Sequence, residues 1–247
     1  MKCMTALREG RVVRLGGSVP LDGRVSWAPA DVRGTQPLNC YLVRSAEGAV
    51  LIDTGVRVHA ARIVAQLRES VPENTPLAVV LTRTEMDCCL NLPEIEAAFP
   101  VTAVHYTGGI TVPVVDAPRE RITVEEGRPA ELEPIPGIPL RIHAPRLRLL
   151  PTLWPYDPLS QTLFTSDSFC HTRTEADDAP DPAAVAAQLR VKFSWLDHAD
   201  PAPVLDDLRA VFAADPVRAI APGHGFPLLG RETVEAHVEA TLKEIGR

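Results

Sequence analysis

Leu81-Thr82-Arg83-Thr84-Glu85-Met86-Asp87-Cys88-Cys89-Leu90-Asn91-Leu92-Pro93-Glu94-Ile95 decides how this chain is read. Before it lies a short continuous apolar run, residues 77–81, consistent with a buried strand, and residues 92–99 after it read as a short helix. An extended loop between them projects alternate side chains together, so Arg83, Glu85 and Asp87 are expected on one side. A loop at the C-terminal end of a strand is a natural seat for metal ligands. Two carboxylates, Glu85 and Asp87, stand close together in it, and oxygen donors suit iron, manganese or zinc when imidazoles complete the shell.

Working outward, residues 38–43 and 49–53 are β-rich runs around Ser45-Ala46-Glu47-Gly48 and read as a hairpin. Residues 59–70 carry Ala60, Ile63, Val64 and Leu67 at helical spacing. Residues 101–106 read as the strand after the short helix, with Pro76 and Pro100 as punctuation before the two strands. A second, similar half is expected to open with hairpin-like strands at 122–124 and 140–143, and to continue with strands at 149–154 and 162–166. Helices are expected at 181–191, 202–213 and 232–245, with a strand at 217–221. Strands come early and helices late in each half, which suits two mixed sheets with helices outside them. Residues 172–182 are polar, acidic and proline-containing, and read either as a solvated loop or as a flap over a site.

The opening stretch resembles the metal motif of metallo-β-lactamase-fold proteins, His-x-His-x-Asp-His. It is closer to the flavodiiron variant, His-x-Glu-x-Asp-His, through Glu85 and through Leu92-Pro93-Glu94 behind it. Leu38-Asn39-Cys40-Tyr41-Leu42-Val43 and Leu51-Ile52-Asp53-Thr54-Gly55 resemble the family's opening strands. His143-Ala144-Pro145-Arg146-Leu147-Arg148 resembles the loop that delivers a further histidine, which falls at Arg148. Leu163-Phe164-Thr165-Ser166-Asp167 resembles the strand ending in the bridging aspartate, and Ala221-Pro222-Gly223-His224-Gly225 the one delivering the last histidine. The resemblance implies a single domain over residues 1–247 with the αβ/βα four-layer sandwich, two mixed β-sheets flanked by helices. The sequence ends at Arg247, so no flavodoxin-like domain and no intrinsic flavin mononucleotide site are expected.

Carried over residue by residue, the ligand positions are Arg83, Glu85, Asp87, Cys88, Arg148, Asp167 and His224. Glu85, Asp87, Asp167 and His224 match the family, whereas arginine, cysteine and arginine stand where histidines belong. A guanidinium stays protonated and offers no lone pair, so an intact di-metal centre is not expected. One alternative is a salt-bridge cluster in which Arg83 and Arg148 pair with the carboxylates and replace metal charge with guanidinium charge. A second keeps one iron or zinc ion on Glu85, Asp87 or Cys88, Asp167 and His224. A third makes Cys88, beside Arg83, a nucleophile with His224 as its base, against the plainer reading of Cys88 and Cys89 as buried apolar residues. Asp87 or His224 would then do acid–base work, with Arg83 or Arg148 anchoring an anionic substrate.

Composition bounds the rest. The chain has 247 residues, and its formal charge of −7 without a basic run argues against general nucleic-acid binding. No segment approaches the apolar length of a membrane helix, and the start lacks a signal-peptide core, so the expected compartment is the cytoplasm. Five cysteines with no CxxC pair do not make a disulfide framework. His105, His143 and His171 are expected as hydrogen-bonded structural residues beside the site, and His59, His198 and His237 as exposed ones. Trp154, Tyr156, Phe169 and Trp195 default to core packing. Three function classes remain open: an enzyme acting on a small molecule as an atypical hydrolase or oxidoreductase, a ligand-sensing domain, and a scaffold. Relatives of the fold often dimerise, so a homodimer is compatible with the sequence.

Overall fold

The computed structural model describes residues 5–7, 10–25, 28, 30–109, 111–147, 151–172 and 180–247. The first strands and helices are β1 (Thr5–Leu7), β2 (Val12–Leu21), β3 (Gly34–Arg44), β4 (Ala49–Ile52), α1 (Ala60–Ser70), β5 (Leu77–Val80), α2 (Met86–Cys89), α3 (Leu92–Glu96), β6 (Val101–Tyr106) and β7 (Arg119–Arg121). They are followed by β8 (Ala130–Leu132), β9 (Leu140–His143), β10 (Trp154–Asp157), β11 (Thr162–Ser166), α4 (Pro182–Lys192), α5 (Ala202–Ala214), β12 (Ala219–Pro222), β13 (Leu228–Leu229) and α6 (Arg231–Ile245). A seven-stranded sheet runs β1-β2-β3-β4-β5-β6-β7, and a six-stranded sheet runs β13-β12-β11-β10-β9-β8. Both sheets are mixed: β4 to β7 run parallel behind an antiparallel β3–β4 pair, and β11–β12 is parallel between antiparallel neighbours. No helix among the described residues is long and apolar enough to cross a membrane.

The chain divides into two compact units, residues 1–17 with 38–142 and residues 18–37 with 143–247. In the first, β4 and β5 are apolar and buried at every position, as parallel strands covered on both faces must be. Parallel neighbours need a crossover, and α1 and α3 supply it. Ile63 and Leu67 of α1 and Leu92 and Ile95 of α3 join Leu51 and Val79 in one core. On β2, Gly16 takes φ +117°, and a Cβ there would stand 2.1 Å from the carbonyl oxygen of Leu38, so only glycine fits.

In the second unit, side chains of α4, α5 and α6 (Leu189, Leu208, Val234, Ile245) share a core with Trp154, Tyr156, Leu163 and Ile220 of the strands. Helix α4 starts where Asp181-Pro182 dictates. The Asp181 carboxylate accepts from the backbone N–H groups of Ala183 and Ala184, and Pro182 sits where a missing N–H costs nothing. Asp181→Ala is expected to lower stability by about 1 kcal/mol, read as a lower urea midpoint at an unchanged m-value.

Several expectations need correction. No strand forms at 122–124. The partner of β9 is β8, with Ala130 opposite Ile142, and the strand beside β6 is β7. Hydropathy misses β7 because its Arg-Glu-Arg sequence is exposed at a sheet edge, where charge is the usual device against further pairing. Residues 151–153 are not strand, and β10 begins at Trp154. Leu149, Leu150 and residues 173–179 of the acidic loop lie outside the described residues. His59 and His237 are buried rather than exposed. His237 shares the inward face of α6 with Val234, Thr241 and Ile245, and its Nδ1 is 2.7 Å from the Thr233 carbonyl oxygen. His59 lies against Gly17, whose missing Cβ leaves room for the ring.

Candidate functional site

In the first unit the motif follows β5 and is held by the loop after β4. Asp53 adopts φ +60°, a conformation uncommon for a non-glycine residue. Its carboxylate accepts from the Thr82 N–H at 2.8 Å and the Thr82 hydroxyl at 2.7 Å. Thr54 donates twice to the Cys88 carbonyl, through its N–H at 2.7 Å and its hydroxyl at 2.8 Å. Asn91 returns its side-chain amide to the carbonyls of Thr54 and Gly55. The two loops are thus pinned by buried hydrogen bonds, each of which would leave a costly orphan if broken.

The motif is not extended. The N–H groups of Cys88 and Cys89 both reach the Glu85 carbonyl, and residues Met86–Cys89 form a short helical turn, α2. Asp87 therefore stands four residues from Arg83 on that turn, and their side chains pair. Arg83 Nε also lies 3.3 Å from Glu85 Oε2. The guanidinium side chain is 4% exposed, against 40% for Glu85 and 23% for Asp87. Cys88 is buried, its Sγ 3.7 Å from Asp87 Oδ1 and 3.9 Å from the Thr82 hydroxyl. Behind the motif, Pro93 opens α3 and Glu94 pairs with Arg57 at 2.5 Å.

This charge distribution moves titrations. Burial pushes the Asp53 carboxyl up to about 7, with Arg83 and the Thr82 hydrogen bonds pulling it down and Asp87 adding a smaller upward push. Burial, then Asp53 and Asp87, pushes the Cys89 thiol up to about 11, so it is a thiol rather than a thiolate at neutral pH. His105 on β6 is buried with Nδ1 3.3 Å from Glu120, and desolvation lowers its pKa against the pull of that carboxylate.

The second unit assembles another group. Ser166 at the end of β11 and Phe169 both take positive φ, and the Thr165 hydroxyl donates to the Ser168 carbonyl across the turn. That turn presents Asp167 and Cys170. Parallel pairing of β11 with β12 brings Ser166 opposite Pro222, and the Gly223 N–H donates to the Ser166 carbonyl at 2.7 Å. His224 follows at once, with Nε2 3.8 Å from Asp167 Oδ1. Ligand atoms of Asp167, Cys170 and His224 lie within 4.8 Å of one another, and all three residues are buried. Lys192, at the end of α4, brings Nζ to 3.1 Å from Asp167 Oδ2.

The expected site residues thus fall into an Arg83–Glu85–Asp87–Cys88 group and an Asp167–His224 group, and Arg148 lies outside the described residues. His143 pairs with Asp215 at 2.8 Å and His171 lies against the Phe226 backbone, as structural histidines do. Sequence reasoning took Asp53 only as part of a strand resembling the family's and gave it no role of its own. It gave Lys192 no role, because nothing in a helical pattern tells which terminal lysine turns inward.

The model of the metallo-beta-lactamase superfamily matches residues 33–224. No curated protein matches the chain by sequence. Among solved structures, rubredoxin oxygen:oxidoreductase from Desulfovibrio gigas superposes with a TM-score of 0.74 at 15% identity, over 97% of this chain and 61% of that one. The chain therefore spans about three fifths of that protein's length. A putative diflavin flavoprotein fragment from a Nostoc species gives 0.66 at 15% identity, covering 98% and 94%. An NDM_FIM-1 like metallo-beta-lactamase from Erythrobacter litoralis, in its mono-zinc form, gives 0.61 at 20% identity, covering 97% and 96%. With two mixed sheets and helices packed on them, and with a family match across most of its length, this chain belongs to the metallo-β-lactamase superfamily.

Proposed function

We propose that this is a divergent metallo-β-lactamase-fold protein in which side-chain cations have taken over the charge of the di-metal centre, and that its remodelled pocket holds a small molecule bearing an anionic group. The observation that carries the reading is Arg83. It stands at a ligand position, is almost fully buried, and spends its guanidinium on Asp87 and Glu85. A second ion pair, Lys192 with Asp167, repeats the pattern in the other unit. The residues present do not fit two metal ions, because a fixed guanidinium among the donors repels a dication and supplies no lone pair.

Lys192 shares a small cavity with Gln36, Asp167, Gln188 and His224, and its ammonium is the group there that an anionic group would pair with in place of Asp167. A long flexible stem lets the lysine exchange Asp167 for a ligand. A second reading, a one-ion zinc or iron hydrolase or oxidoreductase, is favoured by the three donor atoms of Asp167, Cys170 and His224.

Metal analysis of freshly purified full chain is expected to give well under two ions per chain, and two per chain would overturn the reading. Calorimetric titration with small carboxylates and inorganic phosphate is expected to show binding that Lys192→Ala loses. No binding at millimolar anion would remove the ligand half of the proposal and leave a scaffold.

A further inference from the structure

Lys192 does not leave Asp167 freely for an incoming anion. The Asp167 side chain is 4% exposed and its Oδ2 lies 3.1 Å from Lys192 Nζ, so a ligand that takes the ammonium strips a buried carboxylate of that counter-charge. A carboxylate that loses its partner inside a protein is strongly disfavoured. A ligand escapes the penalty if it brings a cation of its own.

The pocket sorts the two charges. The cavity beside the pair has a volume of about 10 Å³, room for one water-sized group. An ammonium is of that size, whereas a carboxylate or a phosphate is larger. Asp167 is the buried member of the pair, while the Lys192 side chain is 22% exposed and sits on a long stem. A ligand ammonium therefore fits against Asp167, and a ligand carboxylate meets Lys192 where the lysine reaches water. His224 Nε2 stands 3.8 Å from the other oxygen, Oδ1, so Oδ2 is the oxygen that changes partners. Gln188, one turn before Lys192 on α4, adds a neutral carboxamide that can donate to an oxygen or accept from an N–H, and so serves either end.

We propose that the ligand of this pocket is a zwitterion, a free α-amino acid, whose ammonium and carboxylate replace the Lys192–Asp167 ion pair with two new pairs. Each of the two side chains keeps an opposite charge beside it before and after the exchange, and the net charge of the pocket does not change. Lys192 and Asp167 touch each other, so charges carried on one carbon reach both with the least opening of the pair. Charges at the two ends of a longer chain would force the side chains further apart.

The inference rests on the reading that this pocket takes a small molecule bearing an anionic group, and the two fail differently. The experiment is calorimetric titration of the full chain with the standard amino acids one at a time, then with the des-amino carboxylate and the N-acetyl derivative of the tightest binder. The amino acid is expected to bind roughly 10-fold more tightly than either derivative, since both lack the ammonium. Asp167→Asn is expected to erase that preference and to bind the des-amino carboxylate more tightly than wild type does, a gain that misfolding cannot produce. Lys192→Ala is expected to lose both ligands. Equal binding of amino acid and des-amino carboxylate by wild type, or a preference that persists in Asp167→Asn, overturns the zwitterion and leaves the anion pocket standing. Binding of carboxylates or phosphate without binding of any amino acid at millimolar concentration does the same. No binding of any of these ligands overturns both.

Discussion

Arg83→Met is expected to lower the stability of the protein by about 2–4 kcal/mol, read from urea unfolding at neutral pH. The guanidinium is 4% exposed and serves Glu85 and Asp87 together, so its removal leaves two carboxylates facing each other without a counter-charge. Breaking a fully buried pair costs about 3–5 kcal/mol because the remaining charge is uncompensated. Glu85 and Asp87 recover part of that through water, being 40% and 23% exposed, which sets the lower end of the range. The same account fixes what a second substitution does. With Asp87→Asn added, there is less charge left to compensate, and much of the loss is expected to return. The double-mutant cycle should give a coupling of at least 1 kcal/mol. A single variant costing under about 0.5 kcal/mol would mean that Arg83 is a solvated surface arginine in solution, and the idea that it stands in for metal charge would fall with it.

Arg83 also shows what could be read in advance. That an arginine stands at a position where the family resemblance implies a histidine is legible in fifteen residues of sequence, as is the strand before it and the helix after it. The pairing geometry was not. An alternation argument places 83, 85 and 87 side by side, whereas the helical turn at Met86–Cys89 makes Asp87 the i+4 partner of Arg83 and turns Cys88 inward. Local propensity could not reveal that turn, since it is fixed by the hydrogen bonds that Cys88 and Asn91 make with Thr54, 34 and 37 residues away in sequence. The second unit repeats the lesson. Asp167 and His224 were singled out by the family resemblance of the runs that carry them, and β11 and β12 bring the two side chains near each other. Cys170 and Lys192 were not, because a turn with two positive-φ residues and the rotation of α4 about its axis decide where they point. Helix α4 is apolar on more than one side, with Val191 78% exposed, so its sequence does not choose a face.

Asp53 carries the second large effect, and it is a slope rather than an offset. In the unfolded chain its carboxyl titrates near 3.8, whereas burial raises it to about 7 in the folded protein. Between those values the folded state keeps a proton that the unfolded chain has already released. The native state then binds more protons, so stability falls as pH rises through the window. Below about pH 4 both states are protonated and the contribution is constant; above about pH 7 both are ionised and the full cost remains. At about 1.4 kcal/mol per unit, that cost is on the order of 4 kcal/mol. Asp53→Asn keeps an acceptor for the Thr82 N–H and has no proton to lose. Its stability relative to wild type is therefore expected to rise steadily between pH 4 and 7 and then level off. A difference flat across that range would show that Asp53 titrates as an ordinary surface acid. Arg83 ties the two predictions together, because its guanidinium is the largest influence holding the Asp53 pKa down. In the Arg83→Met background the levelling point is expected to move to higher pH, a displacement that loss of packing alone would not produce.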